Sequence, residues 1–193
     1  MLVRNAVTNM TAHPSVAAWL IPDDLIRLFV VVIDNIADGV NPAEHLDPLR
    51  PTRRFAVSAQ LRTTPTTHAR YDTHAEIITA IDPAGAAKLY QAIYPLLAEA
   101  YAELGNPDAF DVTVRRALVN LLDTPVVGLQ VPLLARESSF EFADQRLEAL
   151  LPVQKQFLGM GPRNVRAVQS SLLAVAREIG LDITGLSLPV VIQ

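Results

Sequence analysis

Proline sets the first limit on this chain. Fourteen prolines stand against eight glycines in 193 residues. Each proline withholds its own N–H from a hydrogen-bond ladder and biases the residue before it away from helix. That balance suits a series of helices opened and closed by proline rather than a glycine-rich all-β chain. Half of the residues are apolar and 19% are charged, enough apolar mass for one buried core and too much for a disordered segment. At this length one domain is the expectation.

Charge and cysteine usage exclude further classes. The chain has no cysteine, which removes a disulfide framework, a thiolate metal site and a cysteine nucleophile, and is compatible with a reducing or an oxidising compartment. A formal charge of −4 and a pI near 5.5 argue against a nucleic-acid binder, because phosphate affinity rests on clustered Lys and Arg. The mean hydropathy of +0.26 raises the question of a membrane span. The most apolar stretch, Val16 to Ala37, is interrupted by Asp23, Asp24, Arg27 and Asp34, whereas a spanning helix needs about 20 nearly uncharged residues. Met1 to Thr11 lacks the apolar core and small-residue cleavage site of a secretory signal.

Three regions are expected: an N-terminal helical segment over 1–21, cut from a longer protein; a single globular helical domain over 22–180; and an apolar tail over 181–193. Weak helical spacing covers Val3 to Met10, and Ser15 can cap a short turn over Val16 to Leu20. Pro22, Asp23 and Asp24 suit the start of a helix over Leu25 to Ala37, with Gly39 as a left-handed stop. That helix is apolar nearly all round, the signature of a central and surrounded element. Its β-branched run makes a buried strand the competing reading, and the flanking caps favour helix.

Pro42, Pro48 and Pro51 make Val40 to Arg54 an extended surface linker. Phe55, Val57, Ala59 and Leu61 alternate with Ala56, Ser58 and Gln60, which predicts a strand. It ends at Thr63 to Thr67, and a short helix follows over Thr73 to Ile81. Asp82 and Pro83 open a long helix with a stripe at Leu89, Ile93, Leu96, Leu97, Ala100 and Leu104, and Pro95 predicts a kink near Gln91. Pro107 and Asp108 open the next helix, with Phe110, Val114, Ala117, Leu118, Leu121 and Leu122 facing inward, so Asp82 to Asp123 reads as a helical hairpin. Val126 to Val131 alternates like a strand and is a possible partner for Phe55 to Leu61. Two short helices divided by Pro152 end at Gly159 to Gly161, and Pro162 starts a last helix with a seam at Val165, Val168, Leu172, Val175 and Ile179. The apolar residues from Leu186 to Ile192 should dock rather than float. The fold class expected is mainly α, a single-domain helical bundle with a small β element.

An ordered series of residues adds a family to this reading: Leu25-Ile26-Arg27, Phe29 and Asp34-Asn35; Pro51 and Phe55; Arg70-Tyr71-Asp72; Leu89-Tyr90 and Tyr94-Pro95-Leu96; Ala100-Tyr101, Glu103-Leu104-Gly105 and Pro107-Asp108; Leu121-Leu122 and Thr124-Pro125; Phe142-Ala143-Asp144 and Leu147-Glu148; Gln154-Lys155; Met160-Gly161-Pro162 and Asn164. Over about residues 20 to 179 the chain resembles the bacterial domain of unknown function 3014 family. The resemblance implies a soluble domain that follows an N-terminal anchor and a proline-rich stretch in a single-pass or lipoprotein-like envelope protein, with no established enzymatic activity. It therefore implies a periplasmic or envelope-associated setting, with the cytoplasm as the alternative. Membrane association would run only through an anchor absent from this chain.

Charge along the chain is segregated. Pro48 to Tyr71 holds Arg50, Arg53, Arg54, Arg62, Arg70 and His68 without one acidic residue. Arginine forks bind carboxylate or phosphate bidentately, which makes Arg50, Arg53, Arg54, Arg70 and Tyr71 the candidate residues for binding an anion or a partner. The competing reading pairs these arginines with acidic helices of the same domain. His68, Asp72 and His74, with Glu76 nearby, have only a loose metal-ligand spacing, so neither a metal nor a cofactor is expected. Tyr90, Tyr94 and Tyr101 share a helix edge, where rings are buried and hydroxyls hydrogen-bonded at a core boundary. Gln154 lies in register with apolar neighbours and, if buried, must link to a backbone group; Asp34 and Asn35 are similar capping candidates. Glu99 and Glu103 read as a solvated face. No nucleophile elbow, phosphate-binding glycine loop, dinucleotide fingerprint or His-Glu-x-x-His is present.

The function expected is a non-catalytic interaction module that takes a protein or an anionic envelope component, with no catalytic residue assigned. The alternative is a small-molecule binder or hydrolase with a pocket near Tyr71, Asp72 and Tyr94.

Overall fold

The computed structural model describes residues 24–47 and 50–188. The expectations for Val3 to Met10, Val16 to Leu20 and Pro22, and for residues 190–192 of the tail, lie outside the described residues. Within them the chain forms eight α-helices and one two-stranded antiparallel sheet, the mainly helical class expected.

Helix α1 spans Leu25–Ala37, and its N-cap Asp24 accepts the Arg27 N–H. Gly39 ends it with φ +76°. A Cβ there would come within 3.0 Å of the Leu151 side chain, so glycine is needed for space as well as for backbone. Among the described residues the helix is not surrounded as expected: only Val30 is buried, and Phe29 is 42% exposed, with the helices over Pro83–Ala102 and Phe110–Leu122 as its main described neighbours. A short 3-10 turn, Pro42–His45, follows under the cap of Asn41.

The strand expected over Phe55 to Leu61 does not form. Ser58 N–H donates to the Arg62 carbonyl at 2.9 Å, and Leu61 takes φ +53°. The chain therefore turns where the alternation suggested extension. Pairing with the later segment is confined to one antiparallel bridge, Arg62 with Pro132, flanked by Leu133 N–H on Leu61 O at 2.8 Å and Thr63 N–H on Val131 O at 3.0 Å. Thr63 to Thr67 is not merely a break: α2, Pro65–Ala69, begins there under the Thr64 cap. Helix α3 is Asp72–Thr79.

Helix α4, Pro83–Ala102, starts under Asp82, whose carboxylate accepts the Gly85 N–H, and runs through Pro95 as one element. Its buried stripe is Ala87, Ile93, Leu97 and Tyr101; Leu96 and Leu104, expected inside, are 50% and 42% exposed. Helix α5, Phe110–Leu122, buries Phe110, Thr113, Ala117, Leu118 and Leu122. The two do not pack as a simple hairpin: α1 packs against both far more than they pack against each other. Val30, Ile93, Leu97, Tyr101 and Phe110 form the core of this layer.

Strands β1, Leu133–Ala135, and β2, Phe140–Phe142, form a hairpin in the register Leu133 with Phe142, a pairing in place of the one expected. Short helices α6, Gln145–Glu148, and α7, Pro152–Leu158, lead to α8, Pro162–Glu178. The buried face of α8 carries Val165, Val168, Leu173 and Ala176 together with Asn164 and Gln169, so it is turned slightly from the seam read at Leu172 and Val175. A second core lies between α3, α7 and α8, at Ala75, Phe157, Val165 and Val168. Of the tail residues expected to dock, Leu186 packs with Leu181 and Ile183 on Leu118, Leu122, Leu173 and Ala176, whereas Leu188 is 42% exposed; Arg115 donates to the carbonyls of Asp182 and Thr184.

Buried polar side chains fasten the elements together. Gln154 Nε2 donates to Asn120 O at 3.0 Å and its Oε1 accepts from Leu151 N–H at 3.1 Å, the backbone link its position demanded. Asn120 Nδ2 in turn donates to the carbonyls of Ile36 and Ala37 at the end of α1. Asp34 accepts from Asn106 Nδ2, and its burial raises its carboxyl pKa above the ordinary value, with Asp38 adding to the rise. Among the described residues no helix is long and apolar enough to cross a membrane.

Candidate functional site

The arginine-rich stretch runs across the molecule as irregular chain before it enters α2 and α3. Arg50 forms an exposed pair with Asp47 at 2.7 Å. Arg62 donates from Nη1 to the Gln130 carbonyl at 3.0 Å. Arg53 and Arg54 are exposed and have no ion-pair or hydrogen-bond partner among the described residues. Local pairing therefore accounts for Arg50 and Arg62 and leaves the adjacent pair open.

Arg70 differs from the others. Its guanidinium Cζ lies 5.2 Å from the Phe55 ring centroid and 4.8 Å from that of Tyr71, so the charge sits between two aromatic faces. Nη2 donates to the Tyr71 hydroxyl at 3.1 Å, and Gln156 Nε2 donates to the same oxygen at 2.8 Å. Nε is buried with no hydrogen-bond partner, an arrangement that costs about 1–3 kcal/mol for an unsatisfied donor. Tyr71 itself is buried and packs edge-on to His74, with ring centroids 5.7 Å apart. Phe55 also packs on Phe140 of β2 at 5.5 Å, which closes the group on the hairpin side.

Near this group His68 packs against Gly161, and Asn164 bonds Asp72, the residue after Tyr71. The His68 ring is buried with Nδ1 3.2 Å from Gly159 O and Nε2 3.1 Å from Leu129 O. Asn164 donates to Asp72 Oδ1 at 2.8 Å and to Met160 O at 3.1 Å. The ring nitrogens of His68 are thus turned to backbone carbonyls and Asp72 to an amide, and among the described residues no three His, Asp or Glu side chains converge to hold a metal.

Tyr94 belongs elsewhere. It packs on Tyr90 at 5.6 Å, and Tyr90 donates to Asp111 at 2.5 Å. Burial, then the hydrogen bond to Asp111, raises the Tyr90 hydroxyl far above its ordinary value; burial leads the rise at Tyr94 as well. Tyr101 shares a buried hydrogen bond with Thr113. Tyr90 and Tyr94 thus sit at a core boundary as read, whereas Tyr101 lies in the core itself; Tyr94 does not join Tyr71 and Asp72. Glu99 and Glu103 border a shallow open cleft with Asp24, Arg27 and Leu96, where Arg27 pairs with Glu103.

Of the candidate residues the structure brings together Arg70 and Tyr71, and places Arg53 and Arg54 on the segment that carries Phe55 over them. Arg50 is engaged apart from this group. Sequence reasoning missed Phe55, Phe140 and Gln156 as members. Phe55 was read as part of a strand, and no spacing connects Gln156 to a tyrosine 85 residues earlier.

A family model described as a protein of unknown function (DUF3014) matches residues 25–176. No curated protein and no solved structure matches the chain.

Proposed function

The chain belongs to the DUF3014 family, proteins of unknown function, and we propose that its domain is a non-catalytic interaction module that recognises a protein or an anionic component of the bacterial envelope through the arginine-rich segment. The observation that carries this reading is the pair Arg53 and Arg54. They are exposed, unpaired among the described residues, and set in a stretch from Pro48 to Tyr71 with no acidic residue. Two adjacent forks without partners among the described residues repel one another and attract an anionic surface. An envelope setting comes from the family resemblance, which implies an N-terminal anchor.

Charge reversal tests the reading. In the full-length protein the R53E/R54E variant is expected to lose a partner that the parent recovers reproducibly by affinity purification, at unchanged abundance. Equal recovery by parent and variant overturns it.

A further inference from the structure

We propose that Arg70, Tyr71 and Gln156 form a carboxylate-binding site, covered in this structure by the ring of Phe55. The proposal rests on the interaction-module reading and supplies the chemistry of its ligand. A phenol oxygen has two lone pairs and one proton. Both lone pairs of Tyr71 are engaged, by Arg70 Nη2 and by Gln156 Nε2, and neither of these bonds uses its O–H, which is left to donate to a third group. Arg70 Nε–H lacks an acceptor. Among the described residues no Asp or Glu lies within ion-pair distance of Arg70. Donors and one positive charge converge where the described residues provide no carboxylate to receive them. The group that completes such a set is an anion that only accepts.

Shape selects a carboxylate among anions. The guanidinium lies between the Phe55 and Tyr71 rings, at 5.2 and 4.8 Å, and its open positions are at its edge. A carboxylate is planar, carries one charge and pairs with an arginine edge through two parallel bonds; a phosphate is tetrahedral and carries more charge than one arginine balances. Phe55 and Phe140 are 39% and 41% exposed, so an apolar group attached to the carboxylate finds an aromatic wall beside the charge. Phe55 is a displaceable cover. It belongs to irregular chain, neither its N–H nor its carbonyl is hydrogen-bonded among the described residues, and ring contacts hold it over Arg70, while the Thr67 hydroxyl holds the carbonyl of the next residue, Ala56. Its displacement uncovers the guanidinium face it lies over without breaking a hydrogen bond of its own.

The test is a titration of the isotopically labelled 193-residue chain with N-acetylphenylalanine, followed at the Arg70 side-chain Nε–H resonance. Its neutral amide and inorganic phosphate serve as comparison probes. The expected result is a saturable shift with the carboxylate and none with the amide. R70K keeps the charge and loses the fork, and is expected to weaken binding about ten-fold; Y71F keeps the ring and loses the hydroxyl, and weakens it several-fold. Equal shifts with the amide, or equal or tighter binding of phosphate, overturn the proposal, and this comparison needs no variant to fold. The two readings fail separately. Partner loss in R53E/R54E with no carboxylate shift at Arg70 removes this site and leaves the module, whereas a carboxylate shift with unchanged partner recovery does the reverse.

Discussion

Gly161 stands where no other residue fits. Its φ is +83°, and a Cβ built on it would lie 2.4 Å from His68 Cγ and 2.6 Å from His68 Cβ. The left-handed backbone alone costs a non-glycine residue about 1–3 kcal/mol, and the imidazole cannot retreat because each of its nitrogens faces a backbone carbonyl. Gly161→Ala is therefore expected to lower stability by about 3 kcal/mol or more, measured by urea unfolding. His68→Ala removes the obstructing ring, so the double variant is expected to be less destabilised than the two single effects added, by about 1 kcal/mol or more. Strict additivity would mean that the ring and the glycine do not constrain each other. At this scale the sequence was informative about single residues with one strong demand: Gln154 had to find a backbone partner and did. It was uninformative about Arg70 and Tyr71, which meet Phe55 fifteen positions before Arg70 and, at the Tyr71 hydroxyl, Gln156 on a different helix. No local spacing encodes a stack assembled from three separate segments.

Element boundaries were legible where a cap announces itself in the chain. Asp24 and Asp82 each accept an N–H three residues on, and Pro83, Pro152 and Pro162 each open a helix. The alternation over Phe55 to Leu61 misled because period two describes a strand only where a partner strand exists, and the chain offers a bridge of one pair instead. Acid should act first on β2 and α6. Asp144 caps α6, and its hydrogen bond to the Arg146 side chain holds its carboxyl down to about 2. Glu148 accepts from Lys155 and from the Phe142 N–H, and the Lys155 bond leads in lowering its pKa. A depressed carboxylate contributes stability that is complete above its unfolded value and is lost as pH falls through its folded one. As pH falls from the ordinary 4.5 of a glutamate through the lowered value of Glu148, the Phe142 amide is expected to lose protection before the core of α8 does, followed by hydrogen exchange. In Glu148→Gln that early loss should shrink; an unchanged profile would assign it to other carboxylates.

The molecule as a whole is two helical layers that share a packed face: α8 lies on α4 and α5, where Leu118 and Leu122 meet Leu173 and Ala176. The layer of α1, α4 and α5 was foreseen as elements and misjudged as an arrangement. An apolar helix such as α1 looks central in sequence, yet burial is set by how many neighbours reach it, and among the described residues those are chiefly α4 and α5. The junction at Asn120 joins this layer to α7, through Ile36 and Ala37 on one hand and Gln154 on the other. Those bonds close loops of 84, 83 and 34 residues. Helical proteins usually fold quickly because their contacts are local, and closing a long loop costs entropy before any contact is gained. This chain must wait for distant segments to meet at one asparagine. Its refolding in stopped-flow experiments is expected to be slower than that of an up-and-down bundle of equal length, and Asn120→Ala to slow refolding further if the junction forms in the transition state. A variant that unfolds faster at an unchanged folding rate would place the junction after the barrier, where it sets how long the native protein lasts rather than how soon it arrives.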